Sequence, residues 1–374
     1  MNLQDLETPA LVLDRARMET NIARMRERMK ALRVMLRPHV KTAKCLEAAL
    51  ACTGGKPAPI TVSTLAEAEF FAGHGFTDIL YAVGLAPAKI AHVLDLRRRG
   101  IDLAVITDNV EMARLAGERA RSAGIKLPLL VEIDSDGHRA GVRADDPRLL
   151  EVARAAVEAG CELRGVMTHA GASYDCRSVD AIRAMAEQER ASAVGAAEHL
   201  RAAGLSAPTV SVGSTPTATY AERLDGVTEV RAGVFVFFDL VMAGISVCRT
   251  EDIALSVLAS VTGHRRDKGW ALVDAGWMAM SRDRGTAKQP VDQGYGLACT
   301  LDGQPLDGVI VSDIHQEHGI LSHRSGDPQR MPELPVGTLL RILPNHACAT
   351  AAQFDGYHVV AGGHAIEARW QRLD

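Results

Sequence analysis

No apolar run in the 374 residues reaches the roughly 18 that a membrane-spanning helix needs, so no membrane role is expected. The first residues, MNLQDLETPALVLDR, lack a basic segment followed by an apolar stretch, and no secretory signal is predicted. Excess positive charge is also missing. The net charge is −4, which argues against nucleic acid or an anionic membrane as partner. The seven cysteines are scattered, odd in number and never spaced as CxxC, a usage that suits free thiols in a reducing cytoplasm. Low-complexity stretches are absent, and so are the Walker and dinucleotide fingerprints.

What is present reads as an ordinary globular chain, 47% hydrophobic and 24% charged, long enough for two domains. Short β-branched runs alternate with amphipathic segments. Met18, Ile22, Met25, Met29 and Leu32 recur at helical spacing after Arg15. Strands are predicted near residues 34–37, 60–62, 78–82, 102–106, 128–133, 163–168, 209–212 and 229–232. Helical patterns lie between them, and another begins near Lys44. Eight such units argue for a TIM-type (β/α)8 barrel over residues 15–246. From residue 247 to 374 the strand-like segments follow one another across Gly, Pro and Asp turns. That predicts an antiparallel β domain, with the early strand 10–13 as a candidate member.

A TIM barrel builds its active site at the C-terminal ends of its strands. Lys41, in RPHVK after the first strand, stands among His39, Thr42 and Lys44. Desolvation and neighbouring positive charge would lower its pKa and free its amine for a Schiff base; on composition alone, a surface lysine reads the same. Gly213, Ser214, Thr215 and Gly233 follow strands seven and eight, the habitual phosphate loops of this fold, although tight turns would look alike. His346 and Cys348 stand two apart. At a strand end such side chains point the same way, and both are good zinc ligands. A buried cysteine beside a turn histidine is the plainer alternative. Gln316 and the run Arg282–Asp283–Arg284 are polar clusters in the β region, the latter also readable as a salt-bridged turn.

Taken together, TPALVLD, RPHVKT, EIDSDGHRAGV, THAGASY, SVGSTPT, TEVRAGVFVFFD, VDAGWMAMS, QEHG and LPNHACAT resemble the D-threonine aldolase and D-serine dehydratase family. These are fold-type III pyridoxal-phosphate enzymes related to alanine racemase. The resemblance spans nearly the whole chain. It implies that Lys41 carries pyridoxal 5'-phosphate and acts as the base at Cα, with His39 beside it. Arg139 is implied to contact the cofactor's phenolic oxygen. His169 and Tyr174 fall near the ring and the substrate, and Gly213, Ser214, Thr215 and Gly233 at the phosphate. His346 and Cys348 are implied to bind a divalent metal. In this family HxD marks aldolases and HxC dehydratases, and a thiolate favours zinc over manganese or magnesium; cobalt is a further alternative. The expected reaction is dehydration of a 3-hydroxy D-amino acid, D-threo-3-hydroxyaspartate before D-serine, to a 2-oxo acid and ammonia. Aldol cleavage on the same scaffold is the rival. Gln316, Arg282 and Arg284 are the substrate candidates. A cytoplasmic homodimer with small-molecule substrates is the expected setting.

Overall fold

Strands buried on both faces read as continuous apolar runs, and PLLVEI at residues 128–133 is buried at every position. The computed structural model, which describes residues 1–373, places it in an eight-stranded parallel sheet. The strands are β2 (Met35–Leu36), β3 (Ile60–Val62), β4 (Asp78–Gly84), β5 (Asp102–Thr107), β6 (Pro128–Ile133), β7 (Glu162–Thr168), β8 (Thr209–Val212) and β9 (Glu229–Val230). Their order is β2-β9-β8-β7-β6-β5-β4-β3. The two end strands are linked by a parallel bridge from His39 to Thr61. Helices α2 (Leu46–Cys52), α3 (Leu65–Gly73), α4 (Ile90–Arg98), α5 (Val110–Ser122), α6 (Arg148–Ala159) and α7 (Val179–Ala202) alternate with the strands, after α1 (Arg15–Ala31). Polar caps start three of them, two just beyond a strand end. Thr64, Asn109 and Ser178 each accept a first-turn backbone N–H, which fixes where the chain turns back.

Charged residues open β4 (Asp78) and β9 (Glu229), where Arg37, just past β2, meets them. Arg37 is buried and donates to Glu229 Oε2 and Asp78 Oδ1, both at 2.7 Å. Glu229 also accepts from Ser211. Removing one member of a buried ion pair leaves the other uncompensated. Arg37→Ala is therefore expected to destabilise the protein by about 3–5 kcal/mol. Adding Glu229→Gln should recover part of the loss, which urea unfolding of the single and double variants measures.

The remaining strands form a second sheet. It comprises β1 (Ala10–Asp14), β10 (Leu255–Arg265), β11 (Trp270–Val273), β12 (Gly296–Cys299), β13 (Pro305–Ile314), β14 (Gly319–His323), β15 (Leu339–Pro344), β16 (Gly356–Val360) and β17 (Ala368–Gln371). The order is β11-β14-β13-β12-β15-β10-β1-β16-β17, and β11 pairs with β10 as well, so six strands close on themselves. The early strand β1 joins this sheet, antiparallel to β10 and parallel to β16. That parallel pair departs from an all-antiparallel expectation.

The chain divides into two compact units. One holds residues 24–41 and 49–233, the other 1–23, 42–48 and 234–374. The sequence reading divided the chain at 246/247. The difference lies in residues 234–246, which hydrogen-bond into the β unit: Ala254 N–H donates to Phe237 O, and Ala347 N–H to Asp239 Oδ2.

Candidate functional site

In the parallel unit the predicted cofactor residues gather beyond the strand ends. Lys41 is exposed, so the chain itself does not supply the desolvation invoked for it. Its amine makes no hydrogen bond or ion pair among the described residues. His39 Nε2 lies 3.3 Å from Ser63 Oγ, and its enclosed Nδ1 has no partner among the described residues. His169 donates Nδ1–H to Gly213 O at 2.8 Å, which leaves Nε2 as the unprotonated nitrogen. The rings of His169 and Tyr174 are 6.1 Å apart. Burial, reinforced by the charges of Lys41 and Arg231, holds both histidines neutral; the pKa of His169 falls to about 3 and that of His39 well below its usual value. Arg139 is exposed, with its charge felt at His169.

The phosphate-loop candidates divide in character. Gly213 has φ +142°, and a Cβ there would meet Arg231 O at 2.0 Å, so only glycine fits. Its N–H is already given to Glu189 Oε1 at 3.0 Å. What Gly213 offers is a close passage of two chain segments. Ser214 caps a short helix, α8 (Thr215–Tyr220), that the sequence reading took for a loop, and its hydroxyl is 2.8 Å from that of Ser173. Thr215 is buried at the first helical position; Gly233 is partly buried after β9.

Two residues that organise this cluster escaped the sequence reading. Glu189 is buried in α7, where it accepts from the N–H groups of Ala170 and Gly213 and from Thr217 Oγ1, tying the ends of β7 and β8 to the helix. The signal was there: Ile182, Ala186, Glu189, Ala193 and Ala196 form one apolar stripe with a carboxylate inside it. Arg231 is buried and donates to Ser211 Oγ and Thr168 O, both at 2.5 Å.

The two neutral histidines give the protein an acid-sensitive centre. Below pH 6.5 an unfolded chain protonates them, whereas the folded chain does not until far lower pH, about 3 for His169. Their contribution to stability is complete above pH 6.5 and is lost as the pH falls. Each depressed histidine adds about 1.4 kcal/mol of lost stability per pH unit in that window. His169→Gln should flatten the decline in unfolding free energy between pH 6 and 4; an unchanged slope would remove His169 from this account.

The metal candidates lie in the β unit. β15 ends at Pro344, His346 is extended (φ −135°, ψ 105°), and Cys348 already belongs to the short helix Ala347–Ala351. The strand alternation expected for them does not hold; they are presented by a strand-to-helix turn. His346 Nδ1 is 2.8 Å from Asp283 Oδ2. Cys348 Sγ is 3.2 Å from Thr42 Oγ1, and Thr42 is the residue after Lys41 in the chain. Burial alone would lower the pKa of His346, but Asp283, Cys348 and Asp239 raise it to about 11. Asp239 is buried and accepts the N–H groups of Met242 and Ala347, fixing the turn. Among the described residues, no group of three His, Cys, Asp or Glu side chains is arranged to hold a metal. The donor set present is an imidazole with its Nδ1–H on a carboxylate, leaving Nε2 to coordinate, next to a thiol. That arrangement fits a divalent ion held by two protein ligands and completed from outside.

The substrate candidates are placed unevenly. Arg282 is exposed and stacks over Trp277 at 4.6 Å. Arg284 is paired with Asp292 at 2.6 Å and lies over Tyr295. Gln316 is exposed in the β13–β14 turn, where its carbonyl accepts Met278 N–H. Asp283, between the two arginines, proves to be the partner of His346, which composition alone did not reveal.

Residues 13–241 match the alanine racemase N-terminal domain, and residues 254–360 match the serine dehydratase domain. The chain is 55% identical to D-threo-3-hydroxyaspartate dehydratase of Delftia sp. (strain HT23), over 99% of this chain and 98% of that one. The solved structure of that dehydratase superposes with a TM-score of 0.96, covering 100% of this chain and 99% of that one. It has also been solved as a histidine-to-alanine variant and as a cysteine-to-alanine variant in the metal-free form, the two substitutions lying two positions apart. D-serine dehydratase of Dictyostelium discoideum is 30% identical over 98% of this chain and 96% of its own. D-threonine aldolase from Filomicrobium marinum superposes with a TM-score of 0.83 at 27% identity, over 99% of this chain and 96% of that one. No helix of the described residues is long and apolar enough to cross a membrane. A full-length match in both sequence and fold, with one domain model on each side of residue 250, makes this chain a member of the alanine-racemase-like family that includes D-threo-3-hydroxyaspartate dehydratase and D-serine dehydratase.

Proposed function

We propose that the protein is a pyridoxal-phosphate- and divalent-metal-dependent dehydratase, a carbon–nitrogen lyase. It converts a 3-hydroxy D-amino acid, D-threo-3-hydroxyaspartate first, to oxaloacetate and ammonia; D-serine would give pyruvate. The observation that carries this reading is the pairing of His346, oriented by Asp283, with Cys348. A racemase has no use for such a pair, and the Delftia dehydratase is known with substitutions at a histidine and a cysteine of the same spacing. The parallel sheet, with its ends bridged, serves as a (β/α)8 barrel. A homodimer in the cytoplasm is the proposed setting.

Pyridoxal phosphate, when bound, supplies an electron sink for negative charge at Cα. A divalent ion, when bound, supplies a Lewis acid for the departing β-hydroxyl. The residues of the parallel unit fit the first group: an exposed primary amine on Lys41, two imidazoles held neutral, and an enclosed His39 Nδ1 that the chain leaves unsatisfied. Lys41 Nζ anchors the cofactor and takes the Cα proton of the substrate. His169 is locked by Gly213 O and keeps its ring orientation, with Tyr174 beside it. Ser214, Thr215 and Gly233 would hold the phosphate, with Gly213 keeping their loop against residue 231. In the β unit, Asp283 fixes the tautomer of His346 and Thr42 orients Cys348. Arg282 and Gln316 are the candidates for a substrate carboxylate; Arg284 is drawn off by Asp292.

A product assay tests the proposal. The protein with pyridoxal phosphate and zinc, manganese or magnesium is given D-threo-3-hydroxyaspartate, D-serine and D-threonine. Ammonia with a 2-oxo acid is expected. Glycine with an aldehyde or glyoxylate would make it an aldolase, the reading that the resemblance to D-threonine aldolase favours, and would overturn the role given to Cys348.

A further inference from the structure

The carbonyl that fixes His169 belongs to a longer chain of hydrogen bonds. Gly213 O accepts His169 Nδ1–H at 2.8 Å. The same peptide group presents its N–H, on Ser214, to Thr217 Oγ1 at 3.1 Å. The Thr217 hydroxyl donates to Glu189 Oε2 at 2.7 Å. Ser214 O and Ser214 Oγ also lie within reach of that hydroxyl, at 3.3 and 3.0 Å, but the carboxylate is nearer and is the stronger acceptor. Every donor then points one way, from an imidazole through a peptide group and a hydroxyl to a carboxylate. Ser214, Thr217 and Glu189 are each 2% exposed, so water does not replace any link.

The other carboxylate oxygen holds the backbone on both sides of the imidazole bond. Glu189 Oε1 accepts the N–H of Ala170, the residue after His169, at 2.9 Å, and the N–H of Gly213 at 3.0 Å. Burial raises the pKa of the Glu189 carboxyl, and the three hydrogen bonds and the charge of Arg231 act against that. A backbone staple alone needs only the acceptor at Oε1, which a glutamine carbonyl supplies as well. The chain through Oε2 uses the charge. Hydrogen bonds in a dry interior polarise one another, so an anion at the far end makes Gly213 O a better acceptor. The bond at one ring nitrogen decides which nitrogen of a histidine carries the proton.

We infer that Glu189 is a positioning residue, which acts through Thr217 and the Gly213–Ser214 peptide to hold His169 in its Nδ1–H form and to keep Nε2 an acceptor. Its purpose rests on the reading of His169 as a neighbour of the cofactor ring. Glu189 itself touches neither cofactor nor substrate; it sets the ring that does.

Nitrogen-15 spectra of the histidine rings test the relay, recorded on the full chain with and without pyridoxal phosphate. The His169 signals are assigned by their loss in His169→Gln. The wild type should show a protonated Nδ1 and an unprotonated Nε2. Glu189→Gln keeps the acceptor at Oε1 and removes the charge. Thr217→Val keeps the carboxylate and breaks the relay at its hydroxyl. Both should raise the Nε2–H form relative to the Nδ1–H form on the order of tenfold, the worth of one hydrogen bond, and should weaken the binding of pyridoxal phosphate by a similar factor. Thr217→Ser restores the hydroxyl and should restore both readouts, which a loss of packing would not allow. His169 signals unchanged in both Glu189→Gln and Thr217→Val would overturn the proposal, as would a wild-type His169 in the Nε2–H form. The cofactor-free spectra decide the relay, and binding of pyridoxal phosphate by the wild type decides separately the reading of the site.

Discussion

Lys41→Arg is expected to abolish turnover, by about 10⁴-fold or more, the upper range for loss of a positioned acid–base group. The substitution separates charge from chemistry. Arginine keeps the positive charge that helps hold His39 and His169 neutral, but a guanidinium neither gives up its proton nor makes the covalent link that a primary amine makes. The fold should not notice. Lys41 is exposed and makes no hydrogen bond or ion pair among the described residues, and substitutions at such positions usually stay within about 0.5 kcal/mol. Three readouts follow. Thermal unfolding stays at the wild-type temperature. Borohydride no longer fixes the cofactor to the chain. Ammonia release from D-threo-3-hydroxyaspartate falls to background, and small primary amines restore part of it in Lys41→Ala. If Lys41→Arg retained more than a few per cent of wild-type turnover, the assignment of the lysine would be wrong.

Much of this arrangement can be read from the chain, and what cannot has physical reasons. The parallel strands are legible where a short apolar or β-branched run is bounded by turn residues. Strands 60–62, 128–133 and 209–212 fall where the pattern puts them. β1 is legible as a member of the β unit because the run ALVLD lacks a polar face and must be covered on both sides. The division at residue 246/247 is less so. Residues 234–246 are apolar and carry no period that says which unit they pack with; their hydrogen bonds to residues 254 and 347 decide it. At the site, residue type and spacing mark Lys41 and the His346–Cys348 pair as candidates, each beside a plainer alternative, and His169 is marked only by the family resemblance. Their supports carry no such mark. Asp283 looks like one charge in a solvated run until the fold brings it 2.8 Å from a residue 63 positions away. Asp239 and Arg231 sit in apolar motifs, where a charge is a signal of burial with a partner, but the partner is set by tertiary contact. Glu189 was the legible omission, since a carboxylate on an apolar helical stripe calls for donors.

Cys348→Ala should cost on the order of 10³-fold in turnover, the several kcal/mol that a Lewis acid contributes to such a reaction, while leaving the cofactor's absorption as in the wild type. The thiol is one of two protein ligands proposed, so its loss leaves an imidazole alone, too weak to hold the ion. Asp283→Asn is the sharper companion. It keeps both ligands but withdraws the carboxylate from His346 Nδ1–H, and such outer partners typically matter by about 10–100-fold in metal affinity or activity. Proton release separates the two variants further. With Asp283, Cys348 and Asp239 around it, His346 holds its proton up to a pKa of about 11, so at neutral pH the metal-free imidazole is charged and an incoming ion must displace that proton. Metal affinity should therefore rise with pH across the neutral range, with proton release on binding visible to a pH indicator. Asp283→Asn removes the strongest support for the charged imidazole, so its uptake should release fewer protons and depend less on pH, even as the affinity at high pH declines. Metal binding of wild-type strength by Cys348→Ala would remove the thiol from the site. Proton release unchanged by Asp283→Asn would show instead that the ion is held elsewhere.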